Sequence, residues 1–136
     1  MKDREILEAQ NESLRKQSQM LEMKAILLGM VAEDKLELKD DIIGMYGRAK
    51  GGEGVVMSHD ERYGYALKCI DGKTVRFASM MSFHPKVPPN KYAERAAILK
   101  RDALSRYVFE KKDYEVEFKK QMALIRPKER EGIERS

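Results

Sequence analysis

The sequence predicts an α+β fold: a long N-terminal helix and a second helix, a three-stranded antiparallel meander, and a long C-terminal helix. Three observations predict it. Leucine recurs at every seventh position from Leu7 to Leu28, and no Gly or Pro interrupts residues 2–28. Asp71-Gly72 separates two runs rich in aromatic and β-branched residues. Pro85, Pro88 and Pro89 then divide the second run from a stretch free of Gly and Pro from residue 91 to 126. With 136 residues the chain accommodates one compact domain and an appended helix. The expected organisation is an oligomerising helix over 1–33, a single domain over 34–127 and a charged tail over 128–136.

Leu7, Leu14, Leu21 and Leu28 form one stripe, because seven residues make almost two helical turns. Placed at the d positions of a heptad, they leave Arg4, Asn11, Ser18 and Ala25 at a. An Asn at a can fix register and strand number in a coiled coil. A helix of about 27 residues is roughly 40 Å long, whereas a globule of this size has a radius of gyration near 14 Å. Such a helix overhangs its own domain, so Leu7, Asn11, Leu14, Leu21 and Leu28 are expected to bind another copy of the chain. A leucine-zipper transcription factor also needs a basic segment before the heptads, and only Lys2 and Arg4 are there.

Leu38, Ile42, Met45 and Ala49 follow helical spacing and predict a second amphipathic helix over 35–50, with Asp34 as its N-cap. Gly51-Gly52 ends it. Gly51-Gly52-Glu53-Gly54 lacks the Gly-Lys-Ser/Thr ending of a phosphate loop, because Val55-Val56 comes next, so it is expected to be a flexible connector.

The meander is expected as strands Gly54–Ser58, Tyr63–Ile70 and Lys73–Phe83. A two-residue type I′ turn at Asp71-Gly72 would join the last two. Pairing Ile70 with Lys73 then sets Leu67 opposite Arg76 and Tyr65 opposite Ala78, so that Tyr65 and Arg76 share a face. Tyrosines beside an arginine offer a stacking surface and a fixed cation, which suit a nucleobase–phosphate ligand. The loop from Ser82 to Asn90 adds Phe83 and Asn90, an aromatic face and a two-sided amide. Asn90 is also the expected cap of a helix that starts at Lys91; Tyr114, Phe118, Met122 and Ile125 favour its continuation to Arg126, while Tyr114, Val116 and Phe118 also alternate like a strand.

Charged residues make up 37% of the chain and hydrophobic ones 42%, which argues against wholesale disorder. The net charge of +4 arises in residues 91–136, which hold 13 Lys/Arg against 9 Asp/Glu. No apolar run approaches the 18–20 or so residues of a membrane span. The single cysteine, Cys69, has no partner for an internal disulfide, which points to a reducing, cytoplasmic setting. With only His59, His84 and Cys69, and no short ligand spacing among them, neither a zinc site nor a nucleophilic pair is expected. The chain therefore reads as a non-catalytic binder that needs no cofactor.

The element order (long N-terminal helix, meander, aromatic–Pro–Asn loop, C-terminal helix) resembles that of the phage-encoded Thoeris anti-defence sponge proteins. That resemblance implies a small WW-like sheet assembled through N-terminal anchor helices. It also implies a cyclic nucleotide signal trapped between protomers by arginines, a phenylalanine and an asparagine. The matching positions are Arg62 or Arg76, Phe83 and Asn90. The expected ligand site is thus Arg62, Tyr65, Arg76, Phe83 and Asn90 in an inter-subunit pocket. The competing expectation is an oligomeric adaptor or regulator that binds a protein or nucleic acid through its helices.

Overall fold

The computed structural model describes residues 2–110 and 113–125. Among them the chain forms α1 (Lys2–Ala32), β1 (Tyr46–Ala49), β2 (Gly52–Asp60), β3 (Gly64–Cys69), β4 (Thr74–Phe77), β5 (His84–Pro85), α2 (Ala93–Glu110) and α3 (Tyr114–Leu124). Short 3₁₀ turns at Met80–Ser82 and Asn90–Tyr92 lead into β5 and α2. The α+β class holds, but the sheet has five antiparallel strands in the order β4-β3-β2-β1-β5.

Helix α1 ends in a Schellman motif. Asp34 takes a left-handed φ of 57°, while Asp34 N–H donates to the Val31 carbonyl and Lys35 N–H to that of Met30. Asp34 therefore closes the first helix instead of capping a second. Arg101 on α2 clamps its carboxylate through two hydrogen bonds of 2.9 and 3.3 Å.

No helix forms over 35–50. Gly44 has a φ of +89° and packs against Leu104, where a Cβ would come within 3.1 Å of that side chain. At Gly47 a Cβ would collide with the Phe83 ring and the His84 carbonyl. Glycines that look like helix defects are thus points of close backbone approach. Lys50 and Gly51 both have positive φ, 48° and 79°, the requirement of a type I′ turn. The expected connector is therefore a tight hairpin that pairs Tyr46 with Val55 and Ala49 with Gly52.

At the next hairpin the turn differs from expectation by one residue. Gly72 N–H donates to the Cys69 carbonyl, and Cys69 N–H to that of Lys73. Gly72 alone has positive φ, +97°, which makes a three-residue loop in place of the type I′ turn. Tyr65 consequently pairs with Phe77, Ala66 with Arg76 and Leu67 with Val75. A shift of one residue exchanges the faces. Tyr65, Leu67, Val75 and Phe77 share one side, and Arg76 moves to the other.

The third predicted strand stops at Phe77, and the chain crosses through Met80–Ser82 to reach the opposite edge as β5. Phe77 and Phe83 stack there with centroids 6.0 Å apart, which draws the two edges of the curled sheet together. Val55, Val56, Leu67, Phe77 and Phe83 are buried in this core, with α2 packed against β2. Leu27 and Val31, at the end of α1, join the same core.

The C-terminal helix is two helices, not one. Helix α3 docks through a buried polar set: Tyr107 O–H donates to Glu117 (3.1 Å), and Gln121 Nε2 donates to Glu117 (2.7 Å) and to the Glu37 carbonyl (2.5 Å). Lys120 pairs with Asp40 alongside. The expected continuation to Arg126 and the charged tail over 128–136 lie outside the described residues.

Candidate functional site

Two features stand on the surface of this fold. The first is the outer part of α1. Every residue from 3 to 22 is exposed, including Leu7 (57%), Leu14 (61%) and Leu21 (68%). Leu28 lies at the domain boundary and is partly buried. Asn11 is exposed with the first three leucines. The helix persists without its own domain beneath it, aided by ion pairs at i, i+4 such as Arg4–Glu8 (3.7 Å) and Lys16–Glu12 (3.9 Å).

The second feature is the turn between β2 and β3. Asp60 Oδ1 accepts hydrogen bonds from the backbone N–H of Arg62 (2.7 Å) and Tyr63 (3.0 Å). Those two bonds hold its carboxyl below the usual carboxylate range, with Arg76 and His59 adding to the effect. Gly64, at φ +77°, closes the turn where a Cβ would strike the Phe77 carbonyl. Tyr63, 58% exposed, is thereby set beside the guanidinium groups of Arg62 and Arg76, 5.5 and 5.6 Å from its ring centroid.

Of the five expected ligand residues, the fold brings Arg62 and Arg76 together on Tyr63. It joins Tyr65 and Phe83 differently. Tyr65 stacks on Phe77 (5.3 Å) and contacts His59 (4.4 Å), and Phe83 covers the far side of Phe77. Both rings are buried. Asn90 is exposed in a 3₁₀ turn, where Pro89 is the N-cap residue and makes no side-chain capping bond. Its carbonyl accepts from Ala93 N–H, so the expected capping role is not filled by its side chain. Tyr63, which strand alternation places with Tyr65 and Arg76 but outside the five expected residues, is the tyrosine that the arginines meet. Its signal lay in the sequence as Asp60-x-Arg62-Tyr63-Gly64, an Asx-type turn that displays the residues just after the Asp.

Two of the clefts beside the sheet carry lysines. One, of about 560 Å³, lies between the 36–46 segment, Pro85–Pro88 and α2, and is mainly apolar with Lys39, Lys86 and Lys100 among its lining residues. Another, of about 590 Å³, surrounds the β1–β2 hairpin and includes Lys50, Cys69, Lys73 and Tyr92. Burial, then the nearby Asp71, pushes the Cys69 thiol up, away from the depressed value that an activated nucleophile needs. Among the described residues no three His, Cys, Asp or Glu side chains are grouped to hold a metal ion. Nor is any helix there long and apolar enough to cross a membrane.

Comparison with protein-family models, curated proteins and solved structures finds no match to this chain. The sites rest on their own chemistry.

Proposed function

We propose that the protein is a self-associating, non-catalytic binder of an anionic, nucleotide-type ligand, assembled through α1 and working in the cytoplasm. It retains its ligand without converting it, which is the role an anti-defence sponge would play. The observation that carries the ligand class is Tyr63, an exposed ring with two guanidinium groups beside it. A nucleobase can take the place of a guanidinium on the exposed ring face while the arginines pair with phosphate oxygens. Tyr63 takes the stacking role first expected of Tyr65. Tyr65 and Phe83 are buried in the core, and Asn90 is exposed in its 3₁₀ turn.

Thermal unfolding with mononucleotides and cyclic dinucleotides tests this directly. A bound nucleotide raises the melting temperature in proportion to the logarithm of its concentration. Arg62→Ala combined with Arg76→Ala abolishes that rise while the ligand-free melting temperature stays within a few degrees, since both side chains are exposed. No rise in the unsubstituted protein at millimolar nucleotide rejects the ligand class. Oligonucleotide binding that weakens steeply with salt would instead favour the adaptor function, because counterion release marks nucleic-acid contacts.

A further inference from the structure

We infer that the partner of α1 is a second copy of the same helix running antiparallel, in the one register that overlays the exposed segment, residues 3–22, on its copy. This rests on the self-association proposed above and adds its direction and register. The case is electrostatic.

With leucines at d, the flanking e positions are Glu8, Arg15 and Glu22, and the g positions are Asp3, Gln10, Gln17 and Lys24. In a parallel in-register pair, each g residue meets the e residue five positions further along the other helix. Asp3 then faces Glu8 twice over, like against like. The a layer is worse, because Arg4 meets Arg4 inside the seam.

An antiparallel pair matches a with d, e with e and g with g. Centring it on the exposed segment sets Asn11 against Leu14, Ser18 against Leu7, and Arg4 against Leu21. Glu8 then meets Arg15 of the other copy, and Asp3 meets Lys24, each twice by symmetry; Gln10 meets Gln17. Every charged contact is attractive. The two Arg4 side chains lie roughly 26 Å apart along the rod. The two Asn11 residues fall in adjacent layers at the two-fold axis, the least costly place for a polar pair.

Sliding by one heptad in either direction destroys this. Moving deeper sets Arg15 against Arg15 and Glu8 against Glu22. Moving outward sets Glu8 against Glu8. Charge therefore selects one arrangement, and it coincides with the segment that the domain leaves uncovered. It also ends at the edge of the body. Lys24, whose ammonium lies 4.8 Å from the centroid of the Tyr114 ring, is where Asp3 of the second copy arrives.

The functional consequence is a dumbbell. The points at which α1 enters each body lie roughly 28 Å apart along the rod. Each Arg62–Tyr63–Arg76 surface is then complete within its own chain. Two separate, equivalent binding faces replace the shared inter-subunit pocket expected from the sequence.

Sedimentation equilibrium of charge variants of the full chain tests both direction and register. Glu8→Lys brings a lysine against Arg15 in the antiparallel pair and weakens the dimer on the order of tenfold. In a parallel pair the same change relieves the Asp3–Glu8 clash and tightens it. Arg15→Glu also weakens the antiparallel dimer, and combining Glu8→Lys with Arg15→Glu restores it. Glu12→Lys is the control: it breaks an equivalent i, i+4 pair, with Lys16, at a position off the seam, and leaves the dimer unchanged. Tightening by Glu8→Lys, or no rescue in the double variant, overturns the antiparallel register while self-association stands. A monomeric unsubstituted protein overturns both.

Discussion

The two ends of α1 carry the same seven-residue leucine pattern and sit in opposite surroundings. Over its last turns the helix lies on α2 and α3, and Leu27 and Val31 are buried in the core they share with the sheet. Over residues 3–22 every side chain meets solvent, leucines included. The periodicity alone does not distinguish these ends. What does is the apolar content beside the stripe: Leu27 and Val31, off the line of leucines, are buried at the inner end, while Arg4, Asn11 and Ser18 lie along the outer part and Ala25 stays exposed. A polar a position is tolerable in a seam between two helices with water at its margins, and costly in a sealed core.

The sharpest way to set the two regions apart is to damage the body alone. Leu67 is fully buried between β2 and β4, and Leu67→Ala should cost about 3 kcal/mol of unfolding free energy, through lost apolar contact and the cavity left behind. Denaturant unfolding monitored by tyrosine fluorescence measures it. Leu14→Ala removes the same atoms from a site outside the body, and at a dilution where both proteins are monomeric it should change that value by less than about 0.5 kcal/mol.

A smaller effect, confined to the body, depends on pH. Tyr46 O–H donates to Glu53 at 2.7 Å, and Lys86 holds the other carboxylate oxygen at 3.0 Å. Burial first, then Glu53, pushes the Tyr46 phenol up to about 12 from an ordinary value of 10.0. The folded state thus keeps this proton where the unfolded chain loses it. Its contribution is complete below pH 10 and is lost as pH rises from 10 towards 12. Glu53 has the opposite sign. Tyr46 first, then Lys86, holds its carboxyl below the ordinary 4.5, so its contribution is present above that value and lost as pH falls below it. Tyr46→Phe should cost about 1 kcal/mol at pH 7 and flatten the decline at both extremes. Unfolding midpoints at pH 3, 7 and 11 check this, and parallel curves for the two proteins would refute it.

Much of this comparison is legible in the sequence. The uninterrupted heptad predicts α1 and its overhang, because a helix repeat sustained for four heptads has few other solutions. The Pro-flanked stretch after residue 90 predicts α2, although α3 turns off near Tyr114, where the polar contacts of Glu117 and Gln121 with distant residues are invisible locally. Residues 35–50 mislead for a different reason. Leu38, Ile42 and Met45 keep helical spacing, while the glycines that forbid the helix do so through partners elsewhere, Leu104 for Gly44 and Phe83 for Gly47. Similarly, Asp71-Gly72 marks a hairpin but not its length, and one residue of ambiguity moves Arg76 across the sheet. The ligand surface is half legible. Its cations are evident, but Tyr63 as their anchor requires knowing the turn that Asp60 builds.

The most direct test of the central claim, that a second copy of the chain covers the outer part of α1, is the solution mass at micromolar concentration, by light scattering coupled to size exclusion. The expected mass is twice the chain mass of 15.7 kDa, falling to a single chain in Leu14→Asp while the body stays folded. A monomer in the unsubstituted protein, or an assembly indifferent to Leu14→Asp, would contradict it.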